Sequence, residues 1–290
     1  MKNTMINLHH YATQIVLQDG IYFSKAIGEI SYPATGNEDF FQIEDHSFWF
    51  LHRNQCITDM VLHYSPDQVF FDIGGGNGFV AKGLQRAGIQ TVLVEPGLQG
   101  CLNAKKRNIE YILCSTLENA AFNKNTLPAI GLFDVVEHIE KETDFLQTIY
   151  DLLHVEGLVF LTVPAYNALW SDEDIVAGHF RRYRIKELEK KLEQIGFKVE
   201  YSTYIFSILV IAVFLFRTLP YILGYVRKNV QRKEIHQKDH QEKKGWLGKL
   251  LTLVWHYEIR KIRSRNKIPF GGSCLVVARK VVKTLDQDPV

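Results

Sequence analysis

The chain has 290 residues, 46% of them hydrophobic and 12% aromatic, enough for one large domain or two small ones with a substantial core. Its four cysteines, Cys56, Cys101, Cys114 and Cys274, show no paired spacing, which argues against a disulfide framework and against a zinc site and fits a reducing compartment. The net charge of +2 conceals an asymmetry: Arg217 to Lys267 hold 14 Lys and Arg against 4 Asp and Glu, a basic block of +10 on a body of −8, suited to an anionic partner such as nucleic acid or anionic lipid.

Residues 1–45 form a loop-rich lead-in with one or two extended pieces. Lys2 precedes a mixed polar stretch with no apolar run, so no secretory signal peptide is expected. Turn signals at Pro33 and Gly36 and the acidic cluster Glu38, Asp39, Glu44 and Asp45 follow. Asp45 is placed to cap a helix from His46 to His63, whose start is crowded by Phe48, Trp49, Phe50 and Leu51.

The stretch Val69 to Phe79, VFFDIGGGNGF, organises the rest. A short apolar run ends in Asp72. Ile73, three glycines, Asn77 and Gly78 follow, and Phe79 to Ala87 then shows apolar residues at helical spacing. This is strand, tight glycine turn and helix, the opening unit of a nucleotide-binding α/β sheet. A second apolar strand, Thr91 to Val94, ends in Glu95, roughly 20 residues on, where an acid can hold ribose hydroxyls. A helix over Leu98 to Arg107 and a third strand over Glu110 to Cys114 follow. A fourth strand over Ala129 to Phe133 runs into Asp134, Val135, Val136, Glu137 and His138. A helix over Lys141 to His154, a Glu156-Gly157 turn and a fifth strand over Leu158 to Val163 complete the alternation. Such alternation implies parallel strands with right-handed crossovers and a ligand at their carboxyl ends. Asp72, Glu95, Asp134 and Pro164 all fall at such ends.

Beyond the fifth strand lie Trp170 and the string HFRRY, His179 to Tyr183. A helix over Ile185 to Ile195, a sixth strand over Phe197 to Tyr204 and a seventh over Ser273 to Val281 follow. About 65 residues separate the last two strands, far beyond a common loop. Tyr204 to Val226 is about long enough to cross a bilayer, but Arg217 interrupts it. Both flanking strands belong to one sheet, so any crossing must be even in number, and the second apolar piece, Trp246 to Ile262, is too short and too charged to cross. A re-entrant or interfacial helical hairpin over 204–262 on an anionic membrane surface is favoured. The competing reading is a helical lid or a dimer contact.

The glycine turn has Phe79 where a dinucleotide fold wants its third glycine. It resembles instead the first motif of the class I S-adenosylmethionine-dependent methyltransferases of the UbiE/UbiG-like kind, and DVVEH resembles their motif after the fourth strand. The resemblance implies an α/β, Rossmann-like, doubly wound sheet of seven strands in the order 3-2-1-4-5-7-6, with the seventh antiparallel. It divides the chain into a lead-in (1–45), a methyltransferase domain (46–205 with 269–290) and an apolar, basic helical insertion (206–268). It implies S-adenosyl-L-methionine as the cofactor. Asp72, Gly74, Gly76 and Gly78 would cradle its amino-acid part, Glu95 its ribose and Arg53, in FWFLHRN, its carboxylate. Asp134 would border cofactor and acceptor. Ser115 stands where the family often carries an acid against the adenine amine.

HFRRY resembles a segment of methyltransferases associated with lipid or surface-glycan pathways, which makes His179, Arg181, Arg182 and Tyr183 acceptor-facing; Trp170, in the same loop, is placed to stack on a substrate. The implied reaction is in-line methyl transfer to a small or amphiphilic, lipid-linked or glycan-related acceptor, with O-methylation favoured. His138 and His179 are the candidate bases, His138 preferred. No metal site and no nucleic-acid substrate are expected. The chain is expected to be cytoplasmic and peripheral on the inner face of the membrane. Two rivals stand beside this reading: an NAD(P)-dependent oxidoreductase, and a non-catalytic membrane adaptor with the same fold.

Overall fold

A computed structural model describes residues 5–24, 41–225 and 245–282. Its centre is one mixed sheet of nine strands: β1 (Ile15–Gln18), β2 (Ile21–Ser24), β3 (Phe70–Ile73), β4 (Thr91–Glu95), β5 (Tyr111–Cys114), β6 (Leu127–Phe133), β7 (Leu153–Pro164), β8 (Phe197–Ile205) and β9 (Ser273–Lys280). The order is β1-β2-β5-β4-β3-β6-β7-β9-β8. From β5 to β7 all neighbours are parallel, and β9 runs antiparallel to both β7 and β8. The seven strands from β3 onward keep the order expected of them.

The sheet has nine strands rather than seven because the lead-in supplies a hairpin. Asp19 and Gly20 both take positive φ and turn β1 back onto β2, the geometry a two-residue hairpin loop requires. β2 then lies parallel to β5 through Tyr22 and Phe23. It covers an edge that would otherwise present unpaired backbone. The Tyr111 hydroxyl accepts from the Ile6 N–H at 3.0 Å and ties down the chain ahead of the hairpin.

Successive strand residues face opposite sides, so the core has two layers. Phe71, Val92, Leu113, Ile130, Leu161 and Val276 face one side. There they meet α5 (Glu142–Leu152) and α7 (Ile185–Ile195). Phe70, Phe160, Leu275 and Val277 face the other, against α1 (Phe48–Tyr64) and α2 (Phe79–Arg86). Ser47, not Asp45, caps α1, its hydroxyl accepting from Phe50 N–H at 3.5 Å. Asp45 is engaged elsewhere, with Arg107 at 3.2 Å and Lys82 at 3.4 Å.

The insertion leaves β8 through Phe206, whose φ is 64°. It continues as α8 (Leu209–Val213), a π turn (Phe214–Thr218) and α9 (Leu219–Ile222). The basic stretch 226–244 lies outside the described residues. α10 (Trp246–Arg263) returns across α1. Glu258 of α10 is fully buried and accepts from His52 Nε2 at 2.8 Å, Phe206 N–H at 2.9 Å and Ser207 N–H at 2.7 Å. Trp255 stacks on Phe48 and His52, and Arg263 grips Asp59. Among the described residues no helix is long and apolar enough to cross a membrane.

Candidate active site

The glycine turn between β3 and α2 is the floor of the site. Gly74, Gly76 and Gly78 all have positive φ, from 54° to 73°. A Cβ on Gly74 would lie 2.9 Å from Val135 Cγ2, which would have to move. On Gly78 it would lie 3.0 Å from Ala104 and Ile109, so that glycine lets α2 pack on α3 (Leu98–Lys106). Behind the turn, Asn77 accepts from Asn103 at 3.0 Å and donates to Glu44 at 3.3 Å. Arg107 joins Glu44 at 2.5 Å and the Asn77 carbonyl at 3.2 Å. Nothing local marked this brace in the sequence, because its members lie up to 63 residues apart.

Two acids flank the turn. Asp72 is 1% exposed, and neither of its carboxylate oxygens has a hydrogen-bond partner among the described residues. Burial, reinforced by Glu95 and opposed by Arg53, pushes its pKa up to about 7. Glu95, at the end of β4, accepts from Gly76 N–H at 3.0 Å and Gly97 N–H at 2.7 Å. Burial raises its pKa against those two bonds. Each of its oxygens keeps a further lone pair for a diol. Ser115 follows β5, its hydroxyl turned to the Thr116 carbonyl at 2.8 Å. A crevice with positive-φ glycines, an orphaned buried acid and a diol-competent acid fits an amino-acid nucleoside.

Arg53 projects from α1 over the strand ends. Its Nη2 pairs with Asp134 at 2.7 Å, and its guanidinium lies 5.3 Å from the Trp49 ring centre. Its Nε has no partner among the described residues. Asp134 takes a positive φ and also accepts from Thr162 at 3.0 Å. Arg53 and Asp134 therefore stand together at the carboxyl ends of β6 and β7.

The turn after β6 and the segment around α6 (Asp172–Ala177) meet beside this crevice. The His138 and His179 ring centres are 4.7 Å apart. Glu137, His138 and His179 bring one oxygen and two ring nitrogens within 4.8 Å of one another, a grouping that linear spacing did not reveal. Glu137 is fully buried, with both oxygens unpaired among the described residues. Burial and then Asp134 push its pKa well above the ordinary range. His138 is driven down to about 4, first by burial and then by His179. His179 Nδ1 bonds Asp174 Oδ1 at 2.8 Å. Asp174 also takes Arg182 Nε at 2.7 Å, Arg182 Nη2 at 3.0 Å and Ser171 N–H at 2.9 Å. Burial alone would raise Asp174, but the His179 and Arg182 bonds hold it below the ordinary value. Asp174, which joins His179 to Arg182, is a residue the sequence reading did not single out.

Within HFRRY, Tyr183 is buried and Arg181 and Arg182 are partly buried, while Phe180 is exposed. Arg182 is spent on Asp174 and on the Ala165 carbonyl. Tyr183 is buried, its hydroxyl donating to Glu142. Arg181 reaches the Glu140 carbonyl at 2.8 Å and Glu142 at 3.2 Å. The string runs alongside the end of β7, Tyr183 N–H donating to the Pro164 carbonyl at 2.9 Å, which brings Arg182 to Asp174 and Arg181 to Glu142. Trp170 is half-buried on the same loop.

A doubly wound sheet with this turn, these acids and an antiparallel last strand defines the class I S-adenosylmethionine-dependent methyltransferases. The methyltransferase-domain family model matches residues 58–202, half of the chain, and the chain belongs to that family, the S-adenosylmethionine-dependent methyltransferases. The mitochondrial ubiquinone biosynthesis O-methyltransferase of Rattus norvegicus is 28% identical over 100 residues, which span 31% of this chain and 29% of that protein. The methyltransferase bound to the Trm112 activator of Haloferax volcanii superposes with a TM-score of 0.54 at 14% identity, covering 88% of this chain and all of the other. Phosphoethanolamine N-methyltransferase 2 of Haemonchus contortus, solved with S-adenosyl-L-methionine, gives 0.52 at 18% identity, over 90% of this chain and 62% of the other. At those identities the two structures speak to fold alone. The family match removes the support for the oxidoreductase and adaptor readings.

Proposed function

We propose that the chain methylates a hydroxyl of an amphiphilic, lipid-linked or glycan-related acceptor at an anionic membrane surface. The observation that carries this reading is the join between insertion and acceptor loop. Thr218 Oγ1 of the insertion donates to the Leu169 carbonyl at 3.0 Å, beside Trp170. The insertion leaves large apolar side chains in water, among them Ile211, Phe216 and Ile222. The name of the rat relative, an O-methyltransferase of ubiquinone biosynthesis, supports an oxygen acceptor.

The donor supplies a sulfonium methyl that is already activated, so the chain's work is alignment. Asp72, Gly74, Gly76 and Gly78 hold its amino-acid end, Arg53 its carboxylate, Glu95 its ribose and Ser115 its base. Asp134, through Arg53, fixes the boundary between donor and acceptor. His179 takes the acceptor proton: Asp174 holds its Nδ1–H, which leaves Nε2 as the base. His138, uncharged at neutral pH because its pKa is driven to about 4, packs beside it. Trp170 lines the acceptor side, with Arg181, Arg182 and Tyr183 shaping the loop. The chain acts on the cytoplasmic face of the membrane through 204–262.

The test is to incubate the protein with radiolabelled donor and, separately, a membrane lipid extract and a water-soluble extract. Label in the organic phase is expected. Label confined to water-soluble products would overturn the acceptor assignment.

A further inference from the structure

Glu137 is a buried acid without a counterpart. It has no exposed surface, and neither carboxylate oxygen has a hydrogen-bond partner among the described residues. Buried polar side chains are nearly always paired, and an exception calls for a ligand or an ion. Two imidazoles stand beside it. One oxygen of Glu137 and one ring nitrogen each from His138 and His179 lie within 4.8 Å of one another. Small side-chain rotations bring all three to a single ion at the ~2.0–2.2 Å bond lengths of zinc. Each histidine is braced from behind. His179 Nδ1–H donates to Asp174 Oδ1 at 2.8 Å, which turns Nε2 the other way. Asp174 is itself held by Arg182 and by the Ser171 N–H. His138 bonds to the backbone of Ala177 and Gly178, at the end of the helix that carries Asp174. A carboxylate behind an imidazole is the usual support of a zinc ligand.

We propose that Glu137, His138 and His179 form a zinc site whose open position receives the acceptor oxygen. The donor set chooses the metal: two imidazoles and a carboxylate suit zinc, whereas magnesium and calcium take oxygen ligands. Three protein ligands leave a position for substrate, the arrangement of catalytic rather than structural zinc. The place fits the reaction. Asp134, which pairs with Arg53 over the donor crevice, leads straight into the turn Val136–His138 that supplies two of the ligands. In the zinc-loaded chain the acceptor hydroxyl binds the ion, which lowers its pKa, and its proton passes to water. A lone pair of that oxygen then forms the bond to the donor methyl carbon, while the carbon–sulfur bond breaks and leaves its electron pair on sulfur. His179 Nε2 is a ligand in that state, so it accepts the proton only in the metal-free chain. The binding site stands on geometry alone; the role given to it rests on the hydroxyl-acceptor reading.

The experiment strips the full chain with a chelator, dialyses it against zinc and measures bound metal by mass spectrometry. A single equivalent is expected. Glu137→Gln and His138→Ala should each weaken zinc binding by at least about a hundredfold, and Asp174→Asn, which removes only the brace, by roughly tenfold. Unchanged affinity for S-adenosylhomocysteine shows that each variant is folded. Cobalt(II) in place of zinc should give the visible absorption of a low-coordinate ion, lost in the same variants. Zinc added back to the stripped chain should raise methyl transfer from labelled donor into whichever extract, lipid or water-soluble, holds the acceptor. No bound zinc, or zinc retained by both Glu137→Gln and His138→Ala, overturns the site. Equal transfer with and without zinc overturns its part in the reaction. Zinc bound and lost as predicted, with label only in water-soluble products, would leave this site standing and remove the lipid acceptor.

Discussion

Asp72 is a carboxylate that water cannot reach. Its native pKa, about 7, lies above the ordinary aspartate value of 3.8. Between those limits the folded chain keeps a proton that the unfolded chain has released. Stability therefore falls as pH rises from about 4 to about 7. Asp72→Asn should unfold at higher urea than the parent at pH 8, by on the order of a few kcal/mol, with the difference vanishing near pH 4. An equal difference at both pH values would mean that the gain is packing and not ionisation. Gly74 makes the complementary argument for shape. Its φ of 68° and the 2.9 Å approach of Val135 leave no room for a branched side chain. Gly74→Val should lower the affinity for S-adenosylhomocysteine by at least about tenfold in calorimetry, and retained affinity would contradict the cradle. Both residues were legible in the sequence because strand, glycines and acid occur in one short run. Asp174 was not, since its meaning depends on His179 and Arg182 folding back onto it. Nor did the string HFRRY state that Arg182 would find Asp174 and Tyr183 Glu142, because a run of polar residues does not say which of them meet buried acids.

At the scale of elements, the parallel strands announced themselves through unbroken apolar runs, buried on both faces. The first hairpin did not. β1 buries only Ile15 and β2 only Ile21, so neither shows the pattern of a core strand. Their contribution is to cover β5. Deleting residues 1–24 should leave cofactor affinity nearly intact but expose that edge. Self-association on size-exclusion chromatography is the expected outcome, and a monodisperse truncated monomer would show that the edge is protected otherwise. The insertion makes a second element-scale prediction. Glu258 satisfies two backbone N–H groups and His52 with no exposed surface of its own. Glu258→Ala should cost about 2–4 kcal/mol in urea unfolding, with Glu258→Gln recovering part of it. Burial raises the Glu258 pKa, but bonds to His52 and Ser207 overcome it and hold the group below the ordinary value. Its stabilisation is present above the ordinary glutamate pKa and is lost as pH falls through the lower native one. An alanine variant as stable as the parent at neutral pH would exclude the anchoring role.

Across the whole molecule, the helix that carries Arg53 over the donor crevice is gripped from behind by α10 through Glu258, Trp255 and Arg263. Donor binding under Arg53 and the docking of α10 on α1 are therefore linked, and by thermodynamic reciprocity whatever factor one lends the other must be returned in full.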